Sequence, residues 1–314
     1  MTAGTTLITG AAGFAGRHLR ARLRDQPIVA WHHPAAPALD AGTDRTVWRA
    51  VDLLDRAGVA AAIDRDRPSR IFHLAGAPQV DASWRSVVPH LRTNAYGTHV
   101  LLDAVRRTVP ACRVLVVTSA QVYQVHDEPL DEDAPLIPAT PYGLSKLAQD
   151  RLAADAARGD GLDVVLARPF NHTGPGQAPA FAVPSFARQV ARIEAGLEPP
   201  VMAVGNLDTR RDLTDVRDVV DAYDLLMARA PAGRPYNICS GRAWRIGDLL
   251  DELLHLSTAT IDVRVDEARL RPNDVPVIQG DATRIRSELG WQPHHTVEQT
   301  LRDTLEWWRR QTSA

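Results

Sequence analysis

Tyr142 and Lys146 lie four residues apart in the run Thr140-Pro141-Tyr142-Gly143-Leu144-Ser145-Lys146. Thr140 has the chemistry of a helix N-cap, and Pro141 suits the first helical position. The spacing then puts a phenol and an ammonium on one face of a helix. A free phenol has a pKa near ~10 and transfers few protons at neutral pH. A neighbouring ammonium and the positive end of the helix dipole both favour the phenolate, so the pair is expected to lower that pKa. Tyr142 would then serve as a general acid or base. A Y-x-x-x-K spacing is also common on solvated helix faces. It becomes a site only where the chain supplies a hydroxyl partner and a cofactor loop. Ser119 offers the first and Gly10-x-x-Gly13-x-x-Gly16 the second.

The elements that must position these groups are legible in order. Thr5–Thr9 is a short apolar, β-branched run of the kind buried in a parallel sheet. Gly10-Ala11-Ala12-Gly13-Phe14-Ala15-Gly16 follows, then a helical stretch over Arg17–Arg24. Strand, glycine turn and helix together form a dinucleotide site: small residues let the backbone approach a pyrophosphate, and the helix N-terminus supplies N–H donors. A second strand, Ile28–Trp31, closes on His32-His33-Pro34 with no acidic residue to hold a ribose 2′-hydroxyl. That leans toward NADP, with Arg17 or His32 as phosphate partners, and leaves NAD open. A third strand, Thr46–Val51, leads to Asp52, a candidate acceptor for the adenine amino group. A helix over Asp55–Arg65 and a fourth strand, Arg70–Leu74, run into Ala75-Gly76-Ala77, small enough for a cofactor to pass. Pro89–Arg107 reads as largely helical and carries Asn94. A fifth strand, Val114–Thr118, brings Ser119 to the carboxyl edge of the sheet, facing the ligand crevice. After the Tyr142 helix, a sixth strand spans Asp163–Ala167. Alternating strands and helices imply a parallel, doubly wound sheet. Beyond Arg168 the pattern changes. Pro169–Gly176 is a loop without periodicity, Val183–Gly196 and Asp215–Arg229 are helix-like, and Thr296–Arg309 is an amphipathic helix whose Trp307 and Trp308 serve packing.

Composition narrows the class. The chain has 314 residues, 45% hydrophobic and 24% charged, which suits a soluble globular protein with ample core. Its net charge of −2, with no basic block, argues against a nucleic-acid partner. Cys112 and Cys239 form no C-x-x-C, so disulfide frameworks and a structural metal are not expected. No run of 18 apolar residues and no basic-then-apolar leader occurs, so no membrane association is expected and a cytoplasmic location is.

Gly10-x-x-Gly13-x-x-Gly16, Ser119 and Tyr142-x-x-x-Lys146 together resemble the extended short-chain dehydrogenase/reductase family, over essentially the whole chain. Arg168–Gln177, Val204–Val219 and Arg271–Val275 sharpen the likeness toward the branch acting on GDP-linked mannose sugars. The resemblance implies an α/β protein: a Rossmann-type doubly wound parallel sheet with a smaller C-terminal substrate-binding domain. Residues 1–168 would bind the dinucleotide, with segments near 212–230 and 276–290 returning to that domain, and 169–314 would mainly bind the nucleotide sugar. Ser119, Tyr142 and Lys146 would be the catalytic trio. NADP or NAD would contact Gly10, Gly13, Phe14, Ala15, Gly16, His32, Asp52, Leu53, Leu74, Ala75, Gly76, Asn94, Thr118, Tyr142, Lys146, Pro169 and Asn171. The sugar nucleotide would contact Ser83, Ser119, Gln121, Asn171, Val183, Arg188, Asn206, Arg211, Arg271 and Asp274. Arginine forks suit its diphosphate.

One departure matters. Dehydratases of this family carry an acid where this chain has Gln121, and an amide has no useful acid/base pKa. The implied activity is therefore NAD(P)H-dependent reduction of the C4 ketone of a nucleotide-linked 4-keto-6-deoxy sugar, first GDP-4-keto-6-deoxy-D-mannose to GDP-D-rhamnose. A C4 epimerase and a non-catalytic dinucleotide sensor are the alternatives. The family also implies a homodimer, paired through Pro89–Arg107 and Pro141–Arg158, with Ala148, Leu152 and Ala156 as an apolar stripe.

Overall fold

The structure is a computed structural model and describes residues 4–35, 45–78, 83–84, 86–270 and 275–313. The apolar runs become strands β1 (Thr6–Thr9), β2 (Ile28–His32), β3 (Thr46–Ala50), β4 (Arg70–His73), β5 (Arg113–Val117) and β6 (Val164–Pro169). Strands β7 (Asn171–Thr173), β8 (Val201–Val204) and β9 (Arg210–Asp215) leave that sheet, and β10 (Pro235–Ile238) returns to it. The seven-stranded sheet runs β3-β2-β1-β4-β5-β6-β10 and is parallel throughout. Strand order reverses between β1 and β4, where a doubly wound sheet opens a crevice at its carboxyl edge.

Both faces of the sheet are covered, which is why its strands need not alternate apolar with polar residues. Leu7, Val29, Ile71, Val114 and Leu166 pack on one side with α2 (Arg56–Asp66), α4 (Gly97–Thr108) and α5 (Pro141–Arg158). Ile8, Ala30, Phe72, Leu115 and Val165 pack on the other with α1 (Phe14–Arg22) and α7 (Val216–Arg229). The helix entering α4 begins as a four-residue α3 (Val87–His90) and passes through a π-helical turn, Leu91–Tyr96, that carries Asn94. A third core gathers α6 (Ala182–Glu194), α8 (Ile246–His255), α10 (Val297–Ser313), β8 and Leu213 of β9, while Ile285 of α9 (Thr283–Leu289) joins the core of α7. Around β9 lie β7, β11 (Ala243–Arg245) and β13 (Val277–Ile278), while β12 (Asp262–Val265) pairs with β8. No helix among the described residues is long and apolar enough to cross a membrane.

Several local expectations change. The first helix starts at Phe14, so the glycine turn passes directly into it. The aperiodic stretch after Arg168 contains β7, which is held by pairing with β9. Pro235–Ile238 adds a strand that the sequence does not announce. Of the proposed apolar stripe on α5, Ala148 and Leu152 are half-buried, but Ala156 is buried in the chain's own core and is not free to meet a partner.

The helix bearing Tyr142 is tied to this frame by a buried ion pair. Arg168 on β6 donates through Nε and Nη2 to the two carboxylate oxygens of Asp150 on α5, each at 2.8 Å. The side chains are 5% and 2% exposed. Arg168 also donates to Tyr123 Oη at 3.0 Å, and Tyr123 donates to Asn237 on β10 at 2.7 Å. Asp150→Ala leaves a buried guanidinium unpaired and should cost about 3–5 kcal/mol, a large share of a typical domain's stability. Urea denaturation should show that loss. The double variant Asp150→Leu/Arg168→Met, which removes both charges, should lose less than the single one.

Candidate active site

Helix α5 begins at Thr140, whose Oγ1 accepts from Gly143 N at 2.9 Å, with Pro141 at the first turn. Ser83 Oγ accepts from Tyr142 N at 3.1 Å, satisfying a second free donor of that helix end. Beyond β5, Ser119 caps a short 3₁₀ turn, Ala120–Val122, its Oγ accepting from Gln121 N at 3.2 Å. The two elements approach so closely that a Cβ on Gly143 would lie 2.4 Å from Gln121 O. Glycine at 143 therefore lets Tyr142 approach Ser119, whose hydroxyl acts on the phenol.

Lys146 lies one turn further along, 6% exposed. Its Nζ donates to Val117 O at 3.0 Å and to Gln149 Oε1 at 2.7 Å. Burial pushes the Tyr142 phenol up to about 12, opposed by the Ser119 hydroxyl, and pushes Lys146 down to about 7. The expected lowering of the phenol pKa is thus reversed: desolvation outweighs the helix end, and the ammonium is engaged with Val117 and Gln149. Tyr142 accordingly keeps its proton at neutral pH, the state a general acid needs.

At the carboxyl edge of β1, Gly13 caps α1, and its N–H donates to Gly10 O at 2.9 Å. A Cβ on Gly16 would lie 2.3 Å from Gly10 O, so the turn is as tight as a pyrophosphate-binding loop requires. Phe14 and Ala15 open the helix beside it. His32 ends β2, its ring edge-on to Trp48 at 6.0 Å, and Arg20 stacks over that tryptophan at 4.5 Å. Arg17 turns the other way and donates to Gly176 O at 2.8 Å, so it braces the loop after β7 and does not flank His32 as a phosphate partner. Asp52 Oδ1 accepts from Leu54 N at 2.9 Å, and Leu53 is buried beneath Gly97. Leu74, Ala75 and Gly76 follow β4, where Ala75 N donates to Thr9 Oγ1 at 3.2 Å. Asn94 accepts from Ala77 N at 2.8 Å and donates to Ser145 Oγ at 2.9 Å. The Thr118 hydroxyl is turned inward to Asp150 Oδ2 and Ala167 O, both at 3.1 Å, and is not available to a cofactor. Pro169 closes β6 in the core.

A cavity of about 560 Å³ opens beside β7, α6 and β9. Asn171, Val183, Asn206 and Arg211 line it, as do Gln177, Phe181, Ser185, Arg269 and Leu270, which the sequence did not single out. Arg211 is braced by donating to Arg210 O and Val275 O, each at 2.8 Å. Ser119, Gln121, Tyr142 and Lys146 are not among its lining residues, and Ser83 acts at the start of α5 instead. Arg188 is a correction. Five residues past Val183 it has turned about 140° around the helix, and its guanidinium lies 6.0 Å from the Trp308 ring on α10, away from the cavity. Arg271 and Asp274 lie outside the described residues. One sequence signal went unused: Lys146 is the only lysine in the 314-residue chain.

A sequence model of the GDP-mannose 4,6 dehydratase family matches residues 7–304. The GDP-6-deoxy-D-mannose reductase of Pseudomonas aeruginosa is 34% identical over 304 residues, 96% of each chain. The solved structure of RMD from Pseudomonas aeruginosa complexed with NADPH has a TM-score of 0.86 at 31% identity, covering 98% of this chain and 100% of that one. The UDP-glucose 4-epimerase of Thermus thermophilus in complex with NAD has a TM-score of 0.86 at 25% identity, covering 97% and 99%.

The glycine turn makes a direct prediction. Gly16→Ala drives a methyl group into Gly10 O, so the turn must open and a dinucleotide can no longer seat on it. NADPH affinity, measured by quenching of the intrinsic tryptophan fluorescence, should fall more than tenfold, while Arg188→Ala should leave both cofactor affinity and substrate KM unchanged.

Proposed function

Because the chain belongs to the GDP-mannose 4,6-dehydratase family of extended short-chain dehydrogenase/reductases, we propose that it reduces the C4 ketone of a nucleotide-linked 4-keto-6-deoxy sugar with NADPH or NADH. GDP-4-keto-6-deoxy-D-mannose, giving GDP-D-rhamnose, is the first substrate to consider, as the similar Pseudomonas aeruginosa reductase suggests. The carrying observation is chemical. Ser119 and Tyr142 form an intact, protonated pair, while Gln121 occupies the position where dehydration calls for a carboxylate.

The residues present fit a dinucleotide: Gly10, Gly13 and Gly16 make a turn that a Cβ would fill, and the N-terminus of α1 faces it. Gly76 and Asn94 would flank the same crevice. When bound, the nicotinamide supplies the hydride. Tyr142 holds a proton for the oxygen that gains charge at C4, and Ser119 donates to that same oxygen. Lys146 presents a compact positive charge beside them. Arg211, Asn171 and Asn206 would hold the sugar nucleotide in the 560 Å³ cavity, with Arg211 taking phosphate oxygens through its fork. An epimerase would need Tyr142 to accept a proton before giving one back.

The proposal extends to a cytoplasmic homodimer. Val88, Tyr96 and Leu144 are large, apolar and 58%, 45% and 49% exposed, on or beside the two helices expected to pair. Light scattering should give a dimer mass, and Leu144→Asp should lower it to that of a monomer. In the activity test, purified protein should consume NADPH with GDP-4-keto-6-deoxymannose and yield the C4 alcohol by NMR. Tyr142→Phe should lower kcat by roughly 10²–10⁴ with cofactor affinity nearly intact. GDP-mannose with NADP should give no 4-keto-6-deoxy product, and efficient elimination there would overturn the reductase reading.

A further inference from the structure

A buried hydrogen-bond chain runs inward from Lys146. Lys146 Nζ donates to Gln149 Oε1 at 2.7 Å, and Gln149 Nε2 donates to Thr98 Oγ1 at 2.9 Å. Thr98 Oγ1 lies 2.8 Å from His73 Nε2, and His73 Nδ1 lies 2.8 Å from Thr9 Oγ1. Thr98, His73 and Gln149 are each 0% exposed, and Thr9 is 1%.

Donor and acceptor bookkeeping fixes the protons that meet at Thr98. The Thr98 hydroxyl also sits 2.6 Å from Asn94 O, a carbonyl that can only accept, so Thr98's one proton goes there. Thr98 Oγ1 must then accept from both remaining neighbours. His73 therefore carries its hydrogen on Nε2, and its Nδ1 accepts from Thr9. The imidazole is neutral, held down to about 3 by burial and by the nearby Lys146 charge. The Gln149 amide is locked by the same constraint: its nitrogen must face Thr98, and its oxygen must face Lys146.

We propose that Gln149 is a positioning residue that, with its amide oriented by the Thr98–His73 pair, holds the Lys146 ammonium at the catalytic face and sets how firmly it keeps its proton. This rests on the reading of Lys146 as the catalytic lysine. Gln149 and Val117 O occupy two of the three ammonium protons, leaving one to point into the site. The other groups facing Lys146 are few. Tyr142 and Asp150 share its helix, Asp150 being committed to Arg168. His73 approaches from β4, and neutral Asn94 from the π turn flanks Gly76 together with Lys146 Nζ. A neutral acceptor in this position steadies the ammonium without neutralising its charge.

The only lysine in the chain makes the test direct. Full-length protein labelled with ¹³C only in lysine gives a single side-chain signal, which reports the Lys146 pKa without any assay of activity. Gln149→Met removes the acceptor and should lower that pKa. Gln149→Glu keeps the length, places a carboxylate beside the ammonium, and should raise it by about one unit or more. Thr98→Val frees the amide behind it and should move the pKa the same way as Gln149→Met, by less. With NADPH and the 4-keto sugar, kcat should fall about tenfold in Gln149→Met, and the alkaline limb of kcat against pH should shift with the NMR pKa in each variant. Unmoved titration in Gln149→Met and Gln149→Glu, or a shift in the same direction in both, overturns the proposal. If the wild type fails to reduce the ketone while the two pKa values move oppositely, the assigned reaction falls and the role of Gln149 stands.

Discussion

The site depends on an ion pair that touches no substrate. Arg168 and Asp150 join the last inner strand to the helix bearing Tyr142 through two parallel hydrogen bonds in a nearly dry interior. Taking both charges out of water costs several kcal/mol per ion before their attraction returns it, so the pair is poor evidence for stability alone. What it supplies is geometry. Asp150 also accepts from Thr118, the residue before Ser119, while Arg168 reaches Tyr123 at the far end of the 3₁₀ turn that Ser119 caps. The segment bearing Ser119 is therefore gripped on both sides by the pair that fixes the helix bearing Tyr142. A rigid element set against a rigid turn holds two hydroxyls in register better than a loop would.

The same packing explains why local chemistry misjudged the tyrosine. A helix end and an exposed neighbouring charge are worth about 0.3–1 kcal/mol each, under one pKa unit. Full burial can shift a titratable group by about 3–5 units. Tyr142 and Lys146 both sit in the interior, so the larger effect wins and drives each toward its neutral form. The spacing Tyr142-x-x-x-Lys146 reports which side chains share a face; it says nothing about how dry that face is.

Legibility followed the range of the interactions involved. Strands β1, β2, β4, β5 and β6 could be read within two residues because burial on both faces leaves largely apolar runs, and the Thr140 cap could be read because it is local. Strand β7 could not, since three residues in a proline- and glycine-rich stretch become a strand only by pairing with β9. The π turn at Asn94 shifts helical phase by one residue within an otherwise ordinary pattern. Arg188 was legible and misread: helical phase alone turns it from the face of Val183 toward Trp308. The chain Thr9–His73–Thr98–Gln149 draws on three separate elements before it reaches α5, so no window of sequence contains it.

The basic residues carry information that no motif does. The chain meets almost every need for positive charge with arginine, including the buried pair at Asp150 and the fork at Arg211, and uses lysine once. At most surface positions the two residues are near substitutes, so a strong arginine bias shows how readily this sequence dispenses with lysine. At position 146 the exchange would fail physically. A guanidinium is planar, too large for a site where the ammonium already donates to Val117 O and Gln149 Oε1 within 3.0 Å, and it cannot lose its proton. An ammonium is compact, and burial brings its pKa to about 7, close enough to neutrality for its charge to respond to its neighbours. Retaining lysine only there is what a site needing a small, adjustable positive charge would require.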